Sequence, residues 1–433
     1  MTTSFVEAES RQECASCRSV FPDTDAAPRC VKCGGLLEVL HPPPPVRGPE
    51  LRAVFASRRG GTPNATSGVW RYQEVVMPNA GDHIVSHPEG NTPLLARDRV
   101  SDWAGVAELF LKHEGHNPTG SFKDRGMTVG VTQARRIGAR AVACASTGNT
   151  SASLAAYAAQ AGIPALVFVP AGQVALGKLA QSLAYGARTL LVKGDFDQCL
   201  ALVQQASERL GIYLLNSINP FRVEGQKTIA LEALEQIGWD APDWLVLPAG
   251  NLGNTAAFGK ALREAWDLGL IARVPRIAAI QAEGASPFAQ SFRAAFETRP
   301  KVKAETVATA IKIGDPASFD RAVATIRFTN GVVTAVSDAD ILDAKAVIDA
   351  AGVGCEPASA ASVAGVRQLV RDGVIRKADR VVAVLTGHVL KDPGALLRYH
   401  QEMSPPPRFA NAPVEIEPSI EAVERVLGSA GAA

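Results

Sequence analysis

Short apolar runs recur along most of this chain and alternate with alanine-rich stretches of helical pattern. The runs are Ala107–Lys112, Ala141–Ala145, Ala165–Val169, Thr189–Val192, Trp244–Pro248, Arg276–Gln281 and Arg380–Leu385. Strand-sized runs separated by helix-sized stretches predict parallel α/β units. Beyond Ser121, read as an N-cap, the apolar positions Met127, Val131 and Ile137 describe one helix. No internal repeat interrupts the pattern.

The same reading divides the chain. Residues 1–40 carry paired cysteines, and residues 41–106 form a linker stiffened by Pro42–Pro45 with a leading segment that joins the larger domain. A smaller α/β domain is expected over 107–216 and a larger one over 217–404. A tail with a partial helix and a small-residue end follows over 405–433.

A chain of 433 residues suits two to three domains of roughly 150 residues each. Hydrophobic residues are 47% and charged residues 20%, enough for sizeable cores and against extended disorder. With 44 basic and 43 acidic side chains the formal charge is +1, so nothing recruits a polyanion or a membrane surface. Residues 1–11 contain Glu7 and Glu9 and no apolar h-region, and no run of about 18 apolar residues follows. The expectation is a soluble cytoplasmic protein with reduced thiols.

Four of the seven cysteines fall as Cys14 with Cys17 and Cys30 with Cys33, the second pair running into Gly34 and Gly35. Each CxxC turn supplies two thiolates, and the twelve residues between the pairs let the second turn fold back, the spacing of a structural zinc ribbon. Disulfides run against the compartment, and a redox CxxC lacks a surrounding βαβ pattern. Cys144, Cys199 and Cys355 lie in apolar stretches and read as small core residues. The ribbon sets Arg18, Arg29 and Lys32 against Asp23 and Asp25, which gives no case for nucleic acid.

The run Asn117-Pro118-Thr119-Gly120-Ser121-Phe122-Lys123-Asp124-Arg125-Gly126 sets a lysine at the start of a helix just after an apolar strand. Burial with cationic neighbours lowers a lysine pKa by up to about 3–5 units, which leaves a nucleophilic amine able to form a Schiff base. An isolated lysine in such a place is more often a solvated helix residue. This run, however, resembles the cofactor-lysine motif of the tryptophan-synthase-β class of pyridoxal phosphate enzymes, and within it the threonine synthases. The resemblance covers about Trp70 to Pro393, including Gly68–Tyr72, Gly90–Leu94, Ala310–Pro316 and Glu356–Ala361. One departure is Lys312, where arginine is more usual.

Four further motifs carry chemistry of their own. Ser146, Thr147, Asn149 and Thr150 lie in a turn between strand and helix, where hydroxyls and N–H groups either cap the helix or hold a carboxylate. The resemblance implies that they grip a substrate α-carboxylate and that Asn149 bonds the cofactor's 3-hydroxyl. Gly250-Asn251-Leu252-Gly253-Asn254 follows another strand, and its glycines allow a nest of N–H donors suited to the cofactor's phosphate. Thr386 follows the strand Val381–Leu385 and offers a neutral hydroxyl to a pyridine nitrogen, which moderates the electron sink. His388 beside it reads as a supporting histidine.

Arg222, with Asn216 and Ser217 upstream, suits a phosphate monoester because a guanidinium binds two oxygens at once. Alone it would be a surface arginine before a helix; matching positions in threonine synthases bind the leaving phosphate. Lys178 either adds a second positive charge or is a solvated helix lysine.

The resemblance implies a fold-type-II α/β enzyme, two open parallel-sheet domains with pyridoxal phosphate in the cleft and a small N-terminal zinc ribbon. It also implies a homodimer that converts O-phosphohomoserine and water into threonine and phosphate. Lys123 would hold the cofactor and move protons at Cα and Cβ. The rival enzymes are a β-replacement on O-phosphoserine, which shares the use of Arg222, and a threonine or serine dehydratase, which does not need it. A zinc-ribbon binding protein on an inactive scaffold is disfavoured because Lys123 and Asn149 are both present.

Overall fold

A computed structural model describes residues 9–59, 61, 66–146, 148–172, 176–194 and 196–430. In chain order the strands are β1 (Arg11–Cys14), β2 (Val20–Pro22), β3 (Leu37–Leu40), β4 (Leu94–Ala96), β5 (Glu108–His113), β6 (Ala141–Ala145), β7 (Ala165–Pro170), β8 (Arg188–Val192), β9 (Ile212–Leu214), β10 (Trp244–Pro248), β11 (Arg276–Ala282), β12 (Val332–Val336) and β13 (Arg380–Leu385). Among the described residues three sheets result, ordered β2-β1-β3, β12-β11-β10-β13-β5-β4 and β8-β7-β6-β9. The first is antiparallel and the third wholly parallel; the second is parallel except for β4.

Every residue of β6 and of β10 is buried, the signature of parallel strands covered by helices on both faces. Val142, Cys144, Leu154 and Tyr157 belong to the core around the smaller sheet, and Leu245, Leu247, Ile277, Phe258 and Val382 to that around the larger. Cys144, Cys199 and Cys355 are all fully buried.

The strand β5 corrects one expected boundary. Residues 107–216 were read as the smaller domain, yet β5 hydrogen-bonds to β13 along its whole length and lies in the larger sheet. A second correction concerns the paired cysteines, which the prolines were expected to hold apart from the catalytic body. Asp23 pairs with Arg136 at 2.9 Å and its carbonyl accepts from Gln133 at 2.7 Å. The β3 carbonyls of Val39 and Leu37 accept from Lys260 and Arg321. The cysteine module is therefore bolted to both domains.

Residues Asp392–Ala433 form a second compact unit, which starts ahead of the tail expected from residue 405 and contains the helix Ile420–Ala430. No helix among the described residues is long and apolar enough to cross a membrane.

Candidate active site

The helix Lys123–Arg136 begins at the lysine itself. Ser121 is not its N-cap: Phe122 occupies that position, although Ser121 Oγ accepts from the Lys123 N–H at 3.4 Å. The loop before it is fastened to the end of β13. Phe122 N–H donates to the Thr386 carbonyl at 3.0 Å, and His388 N–H donates to the Gly120 carbonyl at 2.9 Å. His388 thus belongs to this turn, with its Nδ1 accepting from Leu390 N–H at 3.2 Å.

Lys123 is half-buried, its Nζ 4.0 Å from the centre of the Phe122 ring. Burial first, and the Arg222 guanidinium second, lower its pKa from the ordinary 10.5 to about 7; Glu356 works in the opposite sense. A neutral amine is thereby accessible near neutral pH, the requirement for attack on an aldehyde.

Glycines make the approach of Arg222 to Lys123 possible. The helix Pro220–Gln226 crosses the lysine helix so closely that a Cβ at Gly225 would lie 1.7 Å from the Arg125 carbonyl oxygen, and one at Gly126 would lie 2.9 Å from that of Arg222. Arg222 is itself only 1% exposed. Its Nη1 donates to the Leu215 carbonyl at 3.0 Å, while Nε and Nη2 have no hydrogen-bond partner among the described residues. Burial holds its pKa down to about 10. A buried guanidinium with two unpartnered nitrogens, and no carboxylate paired to it among the described residues, is costly unless an anion completes it.

Asn216 is engaged on the end of β6. Its Oδ1 accepts from Ala145 N–H at 3.0 Å and its Nδ2 donates to the Ala145 carbonyl at 3.1 Å. The amide is engaged at both ends and clamps the end of β6 beside Ser217. Ser217 Oγ accepts from Asn251 Nδ2 at 2.5 Å, which ties this segment to the glycine loop.

The glycine loop turns through Leu252 at φ 63° into the helix Gly253–Asp267. Asn251 Oδ1 accepts from Ala317 N–H at 2.7 Å. At the helix start, Asn254 Oδ1 and Thr255 Oγ1 are buried without partners. The Thr255 hydroxyl and the free N–H groups of the helix N-terminus are donors that fit a phosphate group. Lys312, the departure noted in sequence, is exposed just after the turn Thr309–Ile311 that backs Gly250.

The helix after β6 runs Asn149–Ala161, so Asn149 and Thr150, read in sequence as part of the turn before it, lie in its first turn. Ser146 Oγ accepts from Gly148 N–H at 3.3 Å. Thr147 and the side chain of Lys178 lie outside the described residues. Asn149 Nδ2 reaches across the cleft to Glu356 at 3.1 and 3.4 Å, and Thr386 Oγ1 donates to the same carboxylate at 3.3 Å. Glu356 was legible only as part of a matching segment; nothing local marks its side chain as facing the site.

Other motif residues turn out to be supports. Arg125, next to the lysine, bonds Glu114 at 2.7 and 2.8 Å and Glu232 at 2.7 Å. Glu232 also takes Lys112 at 2.5 Å and the N–H groups of Asn91 and Thr92 at 2.8 and 3.0 Å. The segments Gly68–Tyr72 and Gly90–Leu94 thus wrap a buried ionic cluster under the site. A separate cavity of about 540 Å³, at the seam of β3, Pro42–Pro44 and the helix Gly253–Asp267, contains none of the proposed cofactor or substrate residues.

Within the cysteine module the sulfurs of Cys14, Cys17, Cys30 and Cys33 all lie within 4.8 Å of one another, with Cys14 to Cys33 at 3.5 Å and Cys17 to Cys30 at 3.6 Å. These separations exceed a disulfide bond of about 2.05 Å and fit four thiolates around one ion.

The pyridoxal-phosphate dependent enzyme family matches residues 85–387. Threonine synthase of Methanocaldococcus jannaschii is 43% identical over 418 residues, covering 96% of this chain and 99% of that protein. Threonine synthase of Methanosarcina acetivorans is 43% identical over 421 residues, with coverage of 96% and 99%. Among solved structures, threonine synthase from Escherichia coli superposes with a TM-score of 0.67 at 17% identity, over 97% of this chain and 100% of that one. Maize serine racemase gives 0.62 at 23% identity over 76% and 95%, so the architecture is shared more widely than the chemistry. A lysine of lowered pKa beside Arg222 and Glu356, with donors free at a helix start, agrees with these matches: the chain belongs to the pyridoxal-phosphate dependent enzymes of fold type II.

Proposed function

We propose that this protein is a threonine synthase, which converts O-phospho-L-homoserine and water into L-threonine and inorganic phosphate. The observation that carries the phosphorylated substrate is Arg222, buried with Nε and Nη2 unpartnered. Its neighbourhood to Lys123, through which it lowers the amine's pKa, supports a substrate that spans both. The relatives named threonine synthase support the same reaction.

When bound, pyridoxal phosphate supplies the electron sink that acidifies the Cα–H of an amino acid held through its amine. Lys123 would hold the group covalently and, once displaced, move protons at Cα and Cβ. Gly250 to Asn254 would cradle its phosphate, Asn149 its 3-oxygen and Thr386 its ring nitrogen. The turn Ser146–Thr150 would take the substrate's α-carboxylate. Arg222 and Ser217 would take the phosphate that leaves from Cγ, with Asn216 holding the strand end from which they act. The proton taken from Cβ would go to Cγ to complete the methyl group; water would then add its hydroxyl at Cβ, its remaining proton passing to the departed phosphate, and Lys123 would return a proton to Cα.

Four convergent cysteine sulfurs support a structural zinc ion held by Cys14, Cys17, Cys30 and Cys33. A homodimer, implied by the class resemblance, is part of the proposal and would appear in light scattering as twice the chain mass.

A β-replacement on O-phosphoserine is the second reading, since Arg222 serves either phosphomonoester. The deciding assay gives the holoenzyme O-phosphohomoserine, and in parallel O-phosphoserine with sulfite, and follows phosphate and amino-acid products. Threonine equimolar with phosphate establishes the proposal. Phosphate released only from O-phosphoserine replaces it.

A further inference from the structure

We propose that Glu356 is a positioning residue of this site, whose carboxyl group holds the Asn149 amide and the Thr386 hydroxyl in the orientation in which they meet the cofactor ring. The inference rests on the pyridoxal phosphate reading above. It concerns a side chain to which that reading gave no role.

Glu356 stands at the N-cap position of the helix Pro357–Arg371 with φ −69° and ψ 156°, yet its side chain makes no capping hydrogen bond. A glutamate that served only the helix would turn its carboxylate back toward the first N–H groups. This one points into the cleft. Its backbone N–H donates to the Gly387 carbonyl at 3.1 Å, and a Cβ on Gly387 would lie 2.5 Å from Oε1. The carboxyl is therefore pressed on the bare backbone of Gly387 and has little freedom to leave.

From that seat it reaches one residue of each domain. Asn149 Nδ2, on the smaller-domain helix, donates at 3.1 Å to Oε2, and Thr386 Oγ1, at the end of β13, donates at 3.3 Å to Oε1. An amide nitrogen carries two N–H groups. With one committed to Glu356, the plane of the Asn149 amide is fixed and the second N–H has a single direction.

The direction of the Thr386 hydroxyl is fixed from the other side. Ser359 Oγ accepts from Gly387 N–H at 2.9 Å and lies 3.0 Å from Thr386 Oγ1. Thr386 has one proton, and with that proton committed to Glu356 its hydroxyl oxygen is held in one place between Glu356 and Ser359.

Among the described residues Glu356 has no ion pair. The titratable groups facing it are Lys123 and Lys391, with Cys355 adjacent in the chain, and burial outweighs both ammonium groups in raising its pKa. A change in its charge is accordingly felt at Lys123, which makes the pH behaviour of the bound cofactor a readout that a purely structural role would not move.

The test compares Glu356→Gln and Glu356→Ala with the wild-type chain for pyridoxal phosphate affinity, for the pH midpoint of the bound cofactor's visible absorbance, and for thermal stability. Glu356→Ala is expected to weaken cofactor binding by about tenfold, the loss of one or two hydrogen bonds. Glu356→Gln still accepts from Asn149 and is expected to stay within about threefold, yet to shift the pH midpoint by about half a unit or more. The near-isosteric glutamine keeps the test open if the alanine variant fails to fold. Wild-type affinity and midpoint in both variants, or a fall in thermal stability alone, overturns the proposal. Absence of pyridoxal phosphate binding by the wild-type chain would instead sink the cofactor reading on which it rests.

Discussion

Arg222 gives one N–H to the carbonyl of Leu215 at 3.0 Å and leaves Nε and Nη2 unpartnered in a fully buried position. An unpaired buried guanidinium opposes folding, so its presence beside Lys123 is explained by a ligand rather than by stability.

Replacing Arg222 by methionine should therefore separate function from fold. We expect kcat/KM for O-phosphohomoserine to fall by about 100-fold or more, since charge-assisted bonds to a phosphate are lost. The melting temperature should hold or rise, because a desolvated charge is removed. Steady-state kinetics and calorimetry on the same preparation check both halves; a cooperative loss of stability with unchanged KM would move Arg222 to a structural role.

The pH dependence of cofactor loading follows from Lys123, held near 7 chiefly by burial. Below that value the amine is protonated and unreactive, so loading of apoprotein should accelerate about tenfold per unit up to about pH 7 and then level off. The sign for stability is the same. The cost of charging this half-buried amine is fully present below about 7 and is relieved as pH rises toward the ordinary value of 10.5. Stopped-flow absorbance against pH reads the first effect, and Lys123→Ala should give no borohydride-reducible adduct at any pH.

Beneath the site, Glu232 accepts from Lys112, Arg125 and two backbone N–H groups. Burial alone would raise its pKa, but Arg125 and Lys112 outweigh it and hold the carboxyl well below the ordinary range. Its contribution is thus present above the unfolded carboxylate pKa and is lost as pH falls through the folded value. Glu232→Gln leaves two buried cations short of a counter-charge, and urea unfolding should register a loss of roughly 3–5 kcal/mol. A variant as stable as the parent would show that the cluster is dispensable.

The cysteine module should matter to the catalytic body because Asp23 pairs with Arg136, at the far end of the helix that starts at Lys123. With Cys30→Ala, zinc measured by atomic emission should drop from one ion per chain to a small fraction, since three ligands bind weakly. Proteolysis should then cut within residues 9–40 before the rest of the chain. Retention of one zinc per chain in this variant would remove the ribbon assignment.

Much of this protein can be read from its sequence because local chemistry determines it. The spacing of apolar runs predicts most of the buried strands, and the lysine run, the glycine loop and the paired cysteines each carry their chemistry within one short segment of about twenty residues or fewer. The resemblance joined those pieces into a reaction. Tertiary structure decided the rest. Whether β5 pairs with β13 or with a neighbour in sequence depends on a hydrogen-bond ladder between residues more than 250 apart, which periodicity cannot encode. The orphaned N–H groups of Arg222, the engagement of Asn216 on Ala145 and the inward turn of Glu356 are properties of surroundings assembled from several elements. A side chain's type is written locally, but its burial, its partners and hence its pKa are set only when distant segments close around it.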